Sequence, residues 1–437
     1  MIKTLIYFFK GIDYILVPPH DFVEQSTWWR VKNMYLPGLI LKRKIGNIIP
    51  LLWFLSTLIF SPIFTIIYII LNKFKPFKIL KIDLSQIGTV AYLPVIVGWL
   101  NKNNNKNKII VSLPYITMKQ NNFIFDYLSA DLFKNFFFVK NIFLRFFLTS
   151  ASWYSKSTIN SNEFECFRDS SFSEFAYEMG KTIEFDINEK IDNRNLEKTR
   201  VEFLKFCGEK GLVTFNLRSP LFYEESRKSI RNVSAINYAK TISHLHKLGY
   251  SICFTHSPGN QLLEFMQTQN IDYRIFGERS FKGQFENLLS LIGCKYLIGS
   301  STGASAIPLL KDIPVLWTNS HIPFQVPCKK NDVVIWKKFL LPSGQILSYE
   351  DYLNLEIDIP SVQGKIIKKL SIKVVENTEE EIFQSLLLFL DLQDKSIDRK
   401  ATIEKYKASS VIDNKNCLQN KWSKFSNAMY IKSFGEK

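Results

Sequence analysis

Residues 295–319, KYLIGSSTGASAIPLLKDIPVLWTN, decide how this chain is read. Tyr296, Leu297 and Ile298 form the apolar end of a buried strand. The five small residues that follow, Gly299, Ser300, Ser301, Thr302 and Gly303, let the backbone turn sharply and leave its N–H groups exposed. Residues 304–310 then begin a helix, and residues 314–317 form the next strand. At a helix N-terminus, unpaired N–H groups and the positive end of the dipole stabilise phosphate oxygens, and three neighbouring hydroxyls add donors. The segment therefore predicts a site for a diphosphate-bearing ligand.

The same five residues satisfy two other readings. They fit the G-x-S-x-G pattern of a hydrolase nucleophile elbow, with Ser301 as an esterase nucleophile. That chemistry needs an acid and then a histidine on separate strands after the serine. His321 is the one histidine downstream, and it follows Asp312 too closely. The remaining reading is a turn that merely requires small residues.

Working outward, strands and helices alternate on both sides of this segment, which predicts an α/β fold with a mostly parallel sheet. Residues 212–217 form a strand ending in Arg218. Ser234 is placed to cap a helix whose Ala235, Tyr238, Ile242, Leu245 and Leu248 keep helical spacing, with Gly249 as its stop. Residues 250–255 form a strand closed by His256, residues 284–292 a helix, and Thr318 and Asn319 end the strand after the opening motif. Thr378 with Glu381 spells a capping box for a helix reaching Leu392, and residues 400–437 read as largely helical and basic.

In such sheets ligands gather beyond the carboxyl ends of the strands, where Arg218 can hold phosphate oxygens with its planar fork. Arg231 and Asn232 lead into a helix and order the Arg218 loop. Thr318, Asn319 and His256 lie on the same edge, where His256 is either a ligand contact or a loop histidine without function.

Towards the N-terminus, residues 78–83 form a strand and residues 109–113 another. Between them Gln86 and Gly88 sit in a loop able to approach a bound ligand, while Asp83 more often caps a helix than acts as a base. The Phe-rich run 133–147 predicts one helix, and residues 186–199 a charged connector.

At 437 residues and 46% hydrophobic content the chain can build two domains and an appendage. Its net charge of +16 calls for an anionic partner, but no basic helix or aromatic-interleaved ribbon of a nucleic-acid module occurs, so nucleic acid is not expected. The six cysteines form no C-x-x-C pair, which argues against a disulfide framework or zinc site and fits a reducing compartment. No metal motif appears.

Between Lys44 and Lys73 lie 28 positions without a charged residue, enough to cross a bilayer. Pro62 interrupts them, leaving a single kinked span or a re-entrant hairpin, and basic flanks on both sides mildly favour the hairpin. A buried helical hairpin in a soluble core is the remaining alternative.

Several segments are similar to a known family in order and spacing: Phe215-Asn216-Leu217-Arg218, Arg231-Asn232, Asn237-Tyr238, Gly299-Ser300-Ser301-Thr302-Gly303, Thr318-Asn319 and Leu341-Pro342-Ser343-Gly344-Gln345-Ile346-Leu347-Ser348. On these, stretch 212–352 resembles bacterial polysaccharide-cluster glycosyltransferases with a GT-B-like fold. That family shows His-x-Arg-Asp in the first motif, where this chain has Asn216 and Ser219 as the outer residues.

The resemblance implies two Rossmann-like domains facing a cleft, the second holding a nucleotide-sugar donor. It leads to a division into a membrane-associated segment (1–77), an acceptor domain (78–200), a donor-binding domain (201–350) and a helical extension (351–437). The expected activity is metal-independent, cofactor-free transfer of a sugar from the nucleotide to a growing, lipid-linked glycan at the cytoplasmic face of the inner membrane. Arg218 would stabilise the leaving phosphate, with Asn216, His256, residues 299–303, Thr318 and Asn319 contacting the donor, and Gln86 and Gly88 facing the acceptor. The Asn216 and Ser219 departures leave room for a catalytically inactive scaffold that binds glycan or partner enzymes.

Overall fold

The computed structural model describes residues 48–74, 77–81, 108–112, 136–138, 142–151, 158–160, 194–218, 230–276, 281–300, 302–305, 307–308, 311, 313–321, 332–347, 351, 354–355, 360–394, 396, 398, 401 and 429–431. The chain divides into two compact units. One comprises Met1–Ser85, Ile96–Asn122 and Ala130–Phe164, and the other Gln86–Val95, Phe123–Ser129 and Glu165–Lys437.

The first unit carries helix α1 (Ile48–Phe74), strands β1 (Phe77–Lys81), β2 (Lys108–Ser112) and β3 (Phe136–Phe138), helix α2 (Ile142–Ala151) and strand β4 (Thr158–Asn160). Its four strands pair in parallel in the order β3-β2-β1-β4. The Phe-rich run is not one helix. Three consecutive phenylalanines at 136–138 suit a strand, and helix begins only at Ile142.

Helix α1 is a single 27-residue element with Pro62 inside it, so the chain does not reverse there as a hairpin would require. It packs on α2 through Tyr68, Leu148 and Ala151, and Thr65 Oγ1 donates to the Ala151 carbonyl at 3.2 Å. Phe64 meets Phe146 and Phe147 edge to face. The other sides of α1 expose Ile59, Ile63, Ile66, Ile70 and Phe74, and Phe143 stands exposed on α2. Among the described residues no helix is long and apolar enough to cross a membrane.

In the second unit, α3 (Arg194–Phe206) begins inside the expected charged connector, where the Glu197–Arg200 pair at 2.9 Å spans one helical turn. Strands β5 (Leu212–Asn216), β6 (Ser251–Phe254), β7 (Tyr273–Ile275), β8 (Tyr296–Gly299), β9 (Val315–Ser320) and β10 (Val333–Trp336) alternate with helices α4 (Ala239–Lys247), α5 (Asn260–Thr268) and α6 (Phe281–Ile292). All six strands are parallel, in the spatial order β7-β6-β5-β8-β9-β10. Renumbered along the chain this is 3-2-1-4-5-6, the doubly wound Rossmann arrangement.

Residues of β5, β8, β9 and β10 are buried throughout, as strands covered on both faces must be. Val213, Phe215, Ile242, Leu245, Ile298, Leu316, Leu386 and Phe389 belong to one continuous core. Cys253 and Cys294 are buried there as small apolar residues, with burial pushing the Cys253 thiol pKa up.

A short antiparallel pair follows, β11 (Lys338–Leu340) with β12 (Lys373–Val375), after α7 (Pro360–Lys369) has intervened. Helix α8 (Glu379–Gln393) carries the expected capping box, with Thr378 and Glu381 exchanging side-chain and backbone bonds. Ser234, by contrast, makes no side-chain cap. It precedes a 3-10 turn, Ala235–Tyr238, and its N–H donates to Glu376 Oε2 at 2.6 Å. Residues 400–437 are not helical throughout, because β13 (Met429–Ile431) adds a seventh parallel strand beside β10. Three residues with alternating apolar faces can extend a sheet edge without any helical periodicity in the sequence.

Candidate functional site

Strands β5 and β8 are neighbours whose onward connections run in opposite directions across the sheet, to β6 and to β9. In such sheets ligands bind beyond the carboxyl ends at this point, which here falls at Asn216 and Gly299. A Cβ built on Gly299 would lie 2.3 Å from the Asn216 carbonyl oxygen, so only glycine lets the two strand ends approach this closely. Close approach, rather than left-handed backbone, explains the glycine. The turn after it also differs from expectation, because the Ser300 N–H is not exposed and donates to the Asn216 carbonyl at 3.3 Å.

Beyond Thr302 the chain makes a 3-10 turn, Gly303–Ser305, and residues 307 and 308 are helical. The Lys311 N–H donates to the Ile307 carbonyl at 3.1 Å, so the described part of the stretch expected to be a helix over 304–310 opens as a 3-10 turn and continues as helix. Side chains add to the polar character of the loop. Asn216 Nδ2 donates to Thr302 Oγ1 and to Ser305 Oγ at 3.2 Å, and Ser305 Oγ donates to the Ser300 carbonyl at 3.3 Å. The Ser300 hydroxyl is buried with no hydrogen-bond partner among the described residues.

His256 closes the same edge from β6. Its Nε2–H donates to the Leu217 carbonyl, leaving Nδ1 to accept from Thr255 Oγ1 at 3.0 Å. Thr255 Oγ1 also lies 3.0 Å from Asn216 Oδ1, so one hydroxyl proton serves these two acceptors in turn. Burial pushes the His256 imidazole down to about 4, and the Arg218 charge adds to that. A neutral histidine fixed at both nitrogens orients the strand end more than it transfers protons.

Arg218 itself is buried where β5 ends, and its carbonyl accepts the Val233 N–H at 3.0 Å. That bond draws in Arg231 and Asn232. The Asn232 carbonyl in turn accepts the Nζ of Lys337 at 2.5 Å, and the Lys337 N–H donates to Ser320 at 2.8 Å, next to His321. Three strand ends and one loop thus bring Arg218, Arg231, His321 and Lys337 together. Burial and the charges of Arg231, Lys337 and Arg218 hold the His321 imidazole well below its ordinary pKa. A triad histidine needs a carboxylate to stabilise its imidazolium, whereas cations dominate the field at His321.

Thr318 and Asn319 lie inside the last half of β9, before its final residue Ser320, fully buried and with their polar atoms engaged inside the unit. Tyr238 Oη shares a 2.6 Å hydrogen bond with Thr318 Oγ1 and accepts from Asn319 Nδ2 at 3.2 Å. Asn319 and Asn377 exchange two side-chain-to-backbone bonds, at 2.6 and 2.8 Å, and Asn319 takes a left-handed φ of 52°. Burial pushes the Tyr238 phenol up to about 12. This network holds β9 against the 3-10 turn and the start of α8.

Sequence reasoning brought Asn216, Arg218, Arg231, Asn232, His256, Gly299, Ser300, Thr302 and Gly303 to one edge, and the structure places them there. It missed Lys337, His321, Tyr238 and Asn377. Lys337 had a readable signal, a lysine directly after the wholly apolar strand VVIW. Gln86, Gly88, Asp83, Ser219 and Ser301 lie outside the described residues.

No protein-family model and no curated protein matches the chain. Similar solved structures include a family 9 glycosyl transferase from Veillonella parvula, at 15% identity and a TM-score of 0.44, covering 71% of this chain and 96% of that one. Another is the dodecameric iron-containing glycosyltransferase TibC from enterotoxigenic Escherichia coli, at 13% identity and a TM-score of 0.33, covering 57% and 60%. A third is the Escherichia coli heptosyltransferase WaaC with ADP, at 10% identity and a TM-score of 0.30, covering 56% and 87%.

Proposed function

We propose that this chain is a glycosyltransferase that takes its sugar from a nucleotide-sugar donor bound beyond the carboxyl ends of β5 and β8. The observation that carries the reading is that a buried Arg218, acting on His256, follows the same strand end from which Asn216 holds Thr302 and Ser305, at the switch point of a Rossmann sheet. Sugar transfer develops negative charge on the leaving diphosphate, and cations and hydroxyls fixed in a water-poor site stabilise it without a metal ion. Arg218 is the residue assigned to that charge. Asn216 holds the loop that Thr302 and Ser305 belong to, which gives it a positioning role in place of the histidine its motif position suggests.

In this proposal the first unit receives the acceptor, together with Gln86 and Gly88, which follow β1 in the chain and belong to the second unit. The acceptor is a growing glycan on a lipid, because α1 offers apolar side chains on its outer faces. Phe74 is 84% exposed and Phe143 81% exposed, values that water does not favour for side chains of this size. With Lys42, Arg43, Lys44, Lys73, Lys75 and Lys78 at the ends of the apolar run, the fitting environment is an anionic bilayer on the cytoplasmic side.

The test is a thermal-shift series of the full chain in detergent against UDP, GDP, CDP, ADP and their common sugar conjugates. Selective stabilisation by one nucleotide class, lost in Arg218→Ala, is expected. No shift with any nucleotide would sink the donor site. Binding without turnover in the presence of membrane glycolipid extract would make the chain a scaffold, and serine-directed fluorophosphonate labelling that Ser301→Ala abolishes would make it an esterase.

A further inference from the structure

Lys337 sits directly after β10, and its side chain is buried to within a few per cent of full coverage. Burying an ammonium costs several kcal/mol unless its charge and all its donors are engaged. Nζ has three protons. Among the described residues it makes one hydrogen bond, to the Asn232 carbonyl, and one carboxylate oxygen, Glu376 Oε1, lies 3.9 Å away. Glu376 is also engaged elsewhere, because its other oxygen accepts the Ser234 N–H. This is a poor internal salt bridge and a costly way to hold a structural lysine.

Its surroundings explain the expense. The Asn232 carbonyl that fixes Nζ is one residue from Arg231 and belongs to the loop tied to Arg218 through the Val233 N–H. Lys337 acts on His321 together with both arginines, and burial with these charges keeps the His321 imidazole neutral. All four groups stand beyond the carboxyl ends of β5, β9 and β10, the edge on which such sheets bind ligands. We propose that Lys337, with Arg231 and neutral His321, forms a phosphate subsite that continues the Arg218 site towards β10 and binds the diphosphate of the donor. The ligand's identity rests on the donor reading above, whereas the anion subsite stands on the convergence of these groups.

The charge state follows the same geometry. Burial pushes the Lys337 pKa down to about 8, opposed by Glu376. The charged and titratable groups of this cluster are Glu376, 3.9 Å from Nζ, and His321, on which Arg231 and Arg218 act together with Lys337. Lys337 is therefore protonated at neutral pH, and raising the pH through about 8 removes the charge that binds phosphate.

The experiment is calorimetric titration of the full chain in detergent with inorganic pyrophosphate and, separately, with UDP, GDP, CDP and ADP. It compares wild type, Lys337→Met and Lys337→Gln, each with its melting temperature. Met preserves the stem and removes the buried charge, a change that proteins tolerate or gain from. Gln keeps a donor for the Asn232 carbonyl, so at least one variant should melt at or above wild type. Loss of one charged hydrogen-bonding partner should weaken both pyrophosphate and the preferred nucleoside diphosphate about ten- to a hundred-fold.

Wild-type affinity for a folded, neutral-charge variant, or no pyrophosphate binding by wild type, would overturn the subsite. If both variants unfold, the wild type alone decides: nucleoside-diphosphate affinity must fall as pH rises from 7 to 9, and a flat profile overturns the subsite. Pyrophosphate binding that depends on Lys337 without any sugar transfer would retain the subsite and defeat the transferase. Nucleotide-sugar binding that depends on Arg218 and ignores Lys337 would do the reverse.

Discussion

At the scale of single residues, two substitutions separate packing from chemistry. Gly299→Ala must push a methyl carbon against the Asn216 carbonyl, which is backbone and cannot swing aside. A destabilisation of about 3 kcal/mol is expected in urea unfolding, at the upper end of overpacking costs. Unchanged stability would show that β5 and β8 do not approach as described. His256 predicts a pH effect. Its folded pKa lies near 4 and its unfolded value near the ordinary ~6.5, so the unfolded chain binds the extra proton between them. The stability contributed by keeping this ring neutral is fully present above ~6.5 and is lost as pH falls towards 4, about 2 kcal/mol between pH 7 and pH 5. Urea titrations at several pH values should show that slope, shallower in His256→Gln, and an identical slope in the variant would assign the effect elsewhere.

Elements show what the sequence could and could not disclose. The capping box at Thr378 was legible because its hydrogen bonds join residues three apart, and Thr378→Ala should cost α8 about 1 kcal/mol, read from the urea midpoint. Strands β5, β6, β8 and β9 were legible because a buried parallel strand is a short, almost wholly apolar run. The 3-10 turn at Gly303–Ser305 was not, since a small-residue stretch followed by apolar residues reads equally well as the first turn of an α-helix. Strand β13 and the split of the Phe-rich run depend on partners distant in sequence, which no local pattern encodes. Helix α1 carries its own prediction. Ile63 and Ile70 are exposed, so Ile63→Lys with Ile70→Lys should leave the fold intact. If these positions lie in lipid, the pair should abolish co-flotation with anionic vesicles, since each buried lysine costs roughly 3 kcal/mol. Undiminished flotation would remove α1 from the membrane account.

Over the whole molecule, the candidate site is a product of topology. Arg218, Arg231, His321 and Lys337 are spread over more than a hundred positions, and their meeting follows from the 3-2-1-4-5-6 strand order, which returns β5, β9 and β10 to one edge. Sequence pattern could name Arg218 because it ends a strand beside a recognisable loop. It could not name Lys337, whose partner Asn232 lies 105 residues earlier. In the proposed function, the exposed apolar side chains of α1 serve the bilayer and the cationic edge of the second sheet serves the soluble donor.

The most direct measurement is transfer itself: the full chain, incubated with membrane extract from cells lacking it and a panel of radiolabelled nucleotide sugars, followed by counting label in the organic phase. The account predicts label moving from one nucleotide class into a lipid-extractable glycan, persisting in the presence of chelator and falling at least ~100-fold in Arg218→Ala, as loss of a charge-stabilising donor does in other active sites. No transfer from any donor, or transfer that Arg218→Ala leaves intact, would contradict it.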